Sequence, residues 1–164
     1  MENFIHQFND SLMKIIDVDM SLLINVKEGI NGPYITIPIS EHILEKIVKT
    51  KQIKGVTNLN VQLVGNTIVV RGAVRKFRMK MHFQIHLQPL EAKNRQLAFK
   101  IVRMKPVNQD WITNLVLSKF QFLRYYKGII YLDMNQLEKA KSIRVGNVKH
   151  VEVKNEKLWV GVGL

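Results

Sequence analysis

Five histidines, thirteen carboxylates and no cysteine are what this chain of 164 residues offers for chemistry. His82 and His86 share one face of an alternating run. Four residues of strand span about 13 Å, too far for both to hold one metal ion. His6, His42 and His150 are isolated in sequence and read as structural. Asp17 and Asp19 lie two apart where an apolar-periodic run ends, and capping or turn roles explain them better than paired acid–base work. Ser40 stands just before another such run and reads as a helix cap, not a nucleophile. There is no G-x-S-x-G, no P-loop and no G-x-G-x-x-G. The absence of cysteine excludes a disulfide framework and thiolate chemistry. The expectation is a protein that binds without catalysis, with no cofactor and no metal.

Charge says more. The formal net charge is +12. Residues 71–105 hold ten Lys/Arg (Arg71, Arg75, Lys76, Arg78, Lys80, Lys93, Arg95, Lys100, Arg103 and Lys105) against the single acid Glu91. Residues 1–70 are close to neutral, with six Lys/Arg and seven Asp/Glu. A field concentrated in this way attracts polyanions, either an anionic lipid surface or nucleic acid. It also serves solubility and blunts sheet edges.

The elements that must carry these residues follow from periodicity. From Phe77 to Leu87, Phe77, Met79, Met81, Phe83, Ile85 and Leu87 alternate with Arg78, Lys80, His82, Gln84 and His86. A period of two over this length predicts one long strand, 77–88, ending at Pro89, with an apolar face and a wet, basic face. Further strands are expected at 20–27, 34–39, 58–63, 67–74, 96–105 and 129–132, and in a closing hairpin at 148–153 and 158–164. Gly65-Asn66 and Asn155-Glu156 supply turns. Gly72 suggests a bulge or a sharp bend in its strand. Apolar stripes predict amphipathic helices at 2–16, 40–51 and 109–121, and Asp133 could cap a short helix through Lys141.

Short turns between successive strands imply an antiparallel sheet. The expected fold is α+β, a long, curved, mainly antiparallel β-sheet wrapped around or covered by the amphipathic helices. Length, apolar content and the lack of a low-complexity linker predict one domain over residues 1–164.

Several phrases carry a resemblance. They are Ile39-Ser40-Glu41, Lys54 to Val56, the turn Gly65-Asn66, Val70-Arg71-Gly72, the long alternating strand with Gln88-Pro89-Leu90, and the hairpin from Val151 to Leu164. Together they resemble the LmeA-like phospholipid-binding proteins, in or near the tubular lipid-binding (TULIP) superfamily, from about residue 20 onward. The resemblance implies a long sheet around a helix, with an apolar groove that holds acyl chains. It supplies no catalytic residues. Those relatives are usually exported or membrane-anchored, and this chain shows neither signal.

The functional expectation is a lipid-binding or other apolar-ligand-binding protein whose basic surface associates with anionic membranes. Phe77, Met79, Met81, Phe83, Ile85, Leu87 and Met104 are the expected ligand-lining residues, because unbranched methionine adapts to variable chains. Arg71, Arg75, Lys76, Arg78 and Lys80 are the expected anionic-surface residues. The alternatives are a nucleic-acid-binding module on the basic strands 71–105, or a protein-interaction scaffold. Phe77, Phe83 and Phe99 fall on the apolar side, where they could not stack on bases, which disfavours nucleic acid. If complete, a chain with no secretory signal and no apolar run of about 20 residues is expected in the cytoplasm, peripheral to the membrane.

Overall fold

The computed structural model describes residues 27–29, 32–49, 52–106, 110–120, 122–133 and 147–163. Among these, the order is β1 (Lys27–Gly29), β2 (Gly32–Ser40), α1 (Glu41–Lys49), β3 (Val56–Val64), β4 (Thr67–Lys76), β5 (Met79–Lys93) and β6 (Gln96–Lys105). There follow α2 (Asp110–Leu117), β7 (Leu123–Tyr126), β8 (Ile129–Asp133), β9 (Val148–Lys154) and β10 (Lys157–Gly163). The strands form two antiparallel sheets, one four-stranded in the order β1-β2-β10-β9 and one six-stranded in the order β3-β4-β5-β6-β8-β7.

This corrects the α+β expectation of one sheet covered by helices. The described protein is mostly β, with two helices and a second sheet. Alternation announces that a strand has an apolar face, but it does not name the strand's partner. The C-terminal β10 pairs with β2, placing Leu158 opposite Ile39 and Val160 opposite Ile37. That long-range pairing builds the second sheet. The expected helix 2–16 and most of strand 20–27 lie outside the described residues. So do residues 134–141 of the expected short helix, and Asp133 itself ends β8. The third expected helix, 109–121, is observed as α2, which ends at Leu117, and Leu123 opens β7.

Some local expectations are met and others revised. Ser40 caps α1, its Oγ accepting from the Ile43 amide at 3.4 Å. Next to it the Glu41 carboxylate accepts from the Leu63 amide at 2.9 Å, which ties the helix start to β3. The long strand begins at Met79, not Phe77, and runs through Pro89 to Lys93. A register shift between Pro89 and Glu91 accommodates the proline, which has no amide hydrogen to donate. Gly72 does lie at a bulge, but the extra residue belongs to its partner strand. It pairs with Phe83 in unbroken register on the β5 side, while Asn58 and Leu59 of β3 both stand against it, between the pairs Thr57–Ala73 and Asn60–Arg71.

The core draws on both sheets. Phe83, Ile85 and Leu87 of β5 are buried in one cluster with Ile112 and Val116 of α2 and with Val148, Val153, Leu158 and Val160 of the other sheet. Full burial of one such side chain contributes about 1.5–3 kcal/mol. The opposite face of the six-stranded sheet carries the polar residues Arg71, His82, Gln84 and His86 with the fully buried Val69 and Ala73 among them, and the β4–β5 turn projects from one end of it.

Candidate functional site

The β4–β5 hairpin closes through a two-residue turn, Phe77-Arg78, with Lys76 paired to Met79 and Arg75 to Lys80. Both turn residues have left-handed backbone, φ 51° at Phe77 and 64° at Arg78. A two-residue hairpin loop of right-twisted strands favours this conformation, and Asn-Gly fits it with least strain. In the corresponding turns of this protein Asn94 and Asn155 hold the first position, at φ 53° each. Phe77 is the departure. An aromatic residue held left-handed costs about 1–2 kcal/mol, and strain of this kind concentrates at functional positions.

The Phe77 side chain gains nothing from the core in return. It is 84% exposed, and Met79 is 66% exposed. Around them Arg75, Lys76, Arg78 and Lys80 are all exposed. The tip is therefore an apolar pair set among four cations. Lys76 anchors its base, its Nζ lying 4.1 Å from the centroid of the Trp111 ring on α2 and 5.6 Å from that of Phe77. The Arg75 amide donates to Gly55 O at 3.0 Å, which joins the hairpin to the lead-in of β3.

The expected ligand-lining residues separate into three environments. Phe77 and Met79 stand in the open at the tip. Phe83, Ile85 and Leu87 are buried in the core, and Met81 and Met104 are half-buried against it. Met104 Sδ accepts from Thr113 Oγ1 of α2 at 3.8 Å. Of the expected surface cations, Arg75, Lys76, Arg78 and Lys80 gather at the tip. Arg71 sits further along β4, where its guanidinium donates to Gln62 Oε1 on β3.

A cleft of about 670 Å³ lies at the Gly55 lead-in, lined by the apolar Val48, Ile53, Val56 and Leu59 and by the polar Lys49, Gln52, Lys54, Thr57 and Asn58. None of the expected methionines lines it. A second cleft of about 420 Å³ is lined by Glu91, Lys93, Asn94, Arg95, Gln96, Ala98 and Asp133 and is polar.

The outer face of the six-stranded sheet was less legible in the sequence. Gln84 of β5 pairs with Arg71 on β4 and Lys105 on β6, and His86 pairs with Arg103 on β6. Segments 60–64, 67–75, 80–88 and 100–105 contain no Asp or Glu. Burial, reinforced by Arg103, Arg71 and Lys105, lowers the His86 pKa below its ordinary value of 6.5. The outer face continues into aromatic residues on β7 and β8, with Arg124 5.1 Å from the Tyr131 ring centroid and Lys127 5.3 Å from that of Tyr126. Strand register created these neighbours, and it is absent from any local motif. His150 is separate from all of this: it stacks on Tyr34 at 5.5 Å and its Nε2 lies 3.4 Å from Glu152 Oε1.

Among the described residues, no helix is long and apolar enough to cross a membrane, and no group of three or more His, Cys, Asp or Glu could hold a metal ion. No family model, no curated protein and no solved structure matches the chain.

Proposed function

We propose that this protein is a non-catalytic lipid-binding protein that docks on anionic membranes through the β4–β5 tip. One observation carries the reading. A strained turn displays Phe77 to solvent, with Met79 beside it, inside a ring of Arg75, Lys76, Arg78 and Lys80. Aromatic and aliphatic side chains enter the headgroup–acyl boundary, while nearby lysines and arginines meet lipid phosphates. Each such cation is worth about 1 kcal/mol near an anionic surface. A tip meant only for solubility has no use for an exposed phenylalanine.

The kinship with LmeA-like and TULIP proteins belongs to this proposal. Its support is the pattern of phrases from Ile39 to Leu164, together with the cleft beside the Gly55 lead-in, whose wall includes Val48, Ile53, Val56 and Leu59. That cleft is the proposed seat of an acyl chain, because its volume falls within the roughly 300–1,000 Å³ of ligand pockets. The core residues Phe83, Ile85 and Leu87 are assigned to packing.

The test is co-sedimentation with phosphatidylglycerol vesicles over a salt series, using the natural protein and the triple variant Arg75→Glu, Arg78→Glu, Lys80→Glu. The natural protein should bind, with affinity falling as salt rises, and the variant should lose both binding and salt dependence. Unchanged binding by the variant would refute tip docking. A parallel loss on single-stranded oligonucleotide, at equal affinity, would favour the nucleic-acid alternative.

A further inference from the structure

The outer face of the six-stranded sheet presents a second cationic group, set apart from the tip. Arg71 and Arg75 point to the same face of β4, four residues apart, which places the two groups about 13 Å from each other along the strand. We propose that Arg71, Arg103 and Lys105 form a binding site for a phosphomonoester dianion, with His86 and Gln84 between them. This goes beyond the membrane reading and does not depend on the tip.

Register brings the three cations together. Gln84 lies between Arg71 and Lys105 in one row across β4, β5 and β6, and the next row sets His86 against Arg103. Residues directly opposite on neighbouring strands have Cβ atoms about 4.5–5.5 Å apart. The cations are therefore within reach of one tetrahedral anion, and two of them are guanidiniums that can donate in pairs to phosphate oxygens.

The group is held in place, and no described residue neutralises it. Arg71 is braced by Gln62 and His86 contacts Gln84, both through neutral amides. Among the described residues, no carboxylate forms an ion pair with Arg71, Arg103 or Lys105. A scaffold that merely needed solubility would gain by spacing these charges apart or pairing them, because crowded cations repel one another. A dianion placed here removes that repulsion.

His86 is a built-in reporter. The charged groups facing it are Arg71 on β4 and Arg103 and Lys105 on β6, and its neighbours on β5, Gln84 and Gln88, are uncharged. An anion among the three cations offsets their effect and makes protonated His86 a further donor. Its titration midpoint should therefore rise when the site is filled.

The test is a titration of isotope-labelled protein with glycerol 3-phosphate, a phosphomonoester, at constant ionic strength, following the His86 imidazole by NMR across pH. The expected result is a saturable shift and a higher His86 midpoint. Arg71→Gln with Arg103→Gln should lower the affinity roughly tenfold or more, while Arg78→Gln leaves it unchanged. Arg103 is exposed, so Arg103→Gln alone serves where the double variant fails to fold. A response that never saturates, or that Arg78→Gln weakens as much as Arg103→Gln does, would overturn the site.

Two further arms separate the sources of phosphate. A preference for phosphatidic acid over phosphatidylglycerol vesicles at equal surface charge, lost in Arg103→Gln, assigns a lipid headgroup. Saturation by glycerol 3-phosphate without that preference assigns a soluble phosphomonoester. Binding of a single-stranded oligonucleotide without glycerol 3-phosphate saturation overturns the proposal in favour of nucleic acid. Glycerol 3-phosphate saturation in a protein that ignores all vesicles keeps this site and refutes membrane docking.

Discussion

Phe83 occupies the space that a side chain at residue 72 would need. A Cβ added to Gly72 would lie 2.7 Å from Phe83 Cζ and 3.3 Å from Leu59 Cδ1. The two residues are direct partners across β4 and β5, and Phe83 is 3% exposed. The ring lies over the glycine, so the glycine permits close packing at the point where β3 bulges against it. Gly72→Ala should destabilise the fold by about 1–3 kcal/mol, the usual cost of overpacking. Urea unfolding would measure it, and adding Phe83→Leu should return part of the loss. A neutral Gly72→Ala variant would show that the ring moves aside at no cost.

The tip sets stability against function. Replacing Phe77-Arg78 by Asn-Gly supplies the residues that left-handed turn backbone prefers. The double variant Phe77→Asn, Arg78→Gly should be more stable by about 1–2 kcal/mol and should bind phosphatidylglycerol vesicles more weakly. A thermal melt beside a vesicle assay reads both. Stabilisation with vesicle binding intact would remove Phe77 from the docking element.

The apolar part of the tip can be tested without touching its charge. Phe77→Ser with Met79→Ser removes two exposed side chains. Stability should move by less than about 0.5 kcal/mol, as is usual for surface sites. Vesicle binding should weaken and become more sensitive to salt, because only the screened electrostatic part is left. If binding and its salt dependence both stay as they were, attraction to the surface is purely electrostatic.

His86 makes stability depend on pH in a defined direction. Its folded pKa is lowered below 6.5, first by burial and then by Arg103, Arg71 and Lys105. Between the folded pKa and 6.5 the unfolded chain binds more protons than the folded one. Stability therefore rises with pH across that window. The contribution is complete above pH 6.5 and is lost as the pH falls toward the folded pKa. His86→Gln should flatten this part of a plot of urea midpoint against pH. A slope unchanged by the substitution would assign the dependence to other groups.

Ser40 is a simpler case. Its Oγ accepts from the Ile43 amide at the start of α1. Ser40→Ala should cost about 0.5–2 kcal/mol, nearer the lower figure for a 3.4 Å bond, and Ser40→Asp should restore most of it. Failure of Asp to rescue would mean that Ser40 matters as part of β2, opposite Lys157, and not as a cap.

Local periodicity and turn chemistry determined a good deal of this protein on their own. The alternation through Phe83, Ile85 and Leu87, the cap at Ser40 and the turn at Gly65-Asn66 depend only on neighbours in sequence, and the structure has them. The concentration of cations between Arg71 and Lys105 was equally plain. Alternation by itself misplaced Phe77 and Met79, because the pattern of two continues through a tight turn in which Phe77 leaves the strand. The tertiary structure decided which strands meet. Pairing of β10 with β2 made a second sheet where helices were expected to cover a single one. Pairing of β4, β5 and β6 brought Arg71, His86, Arg103 and Lys105 together from three separate strands. Register is the reason for both outcomes. It is set by the fit of whole faces across the core, and no short stretch of sequence contains both partners.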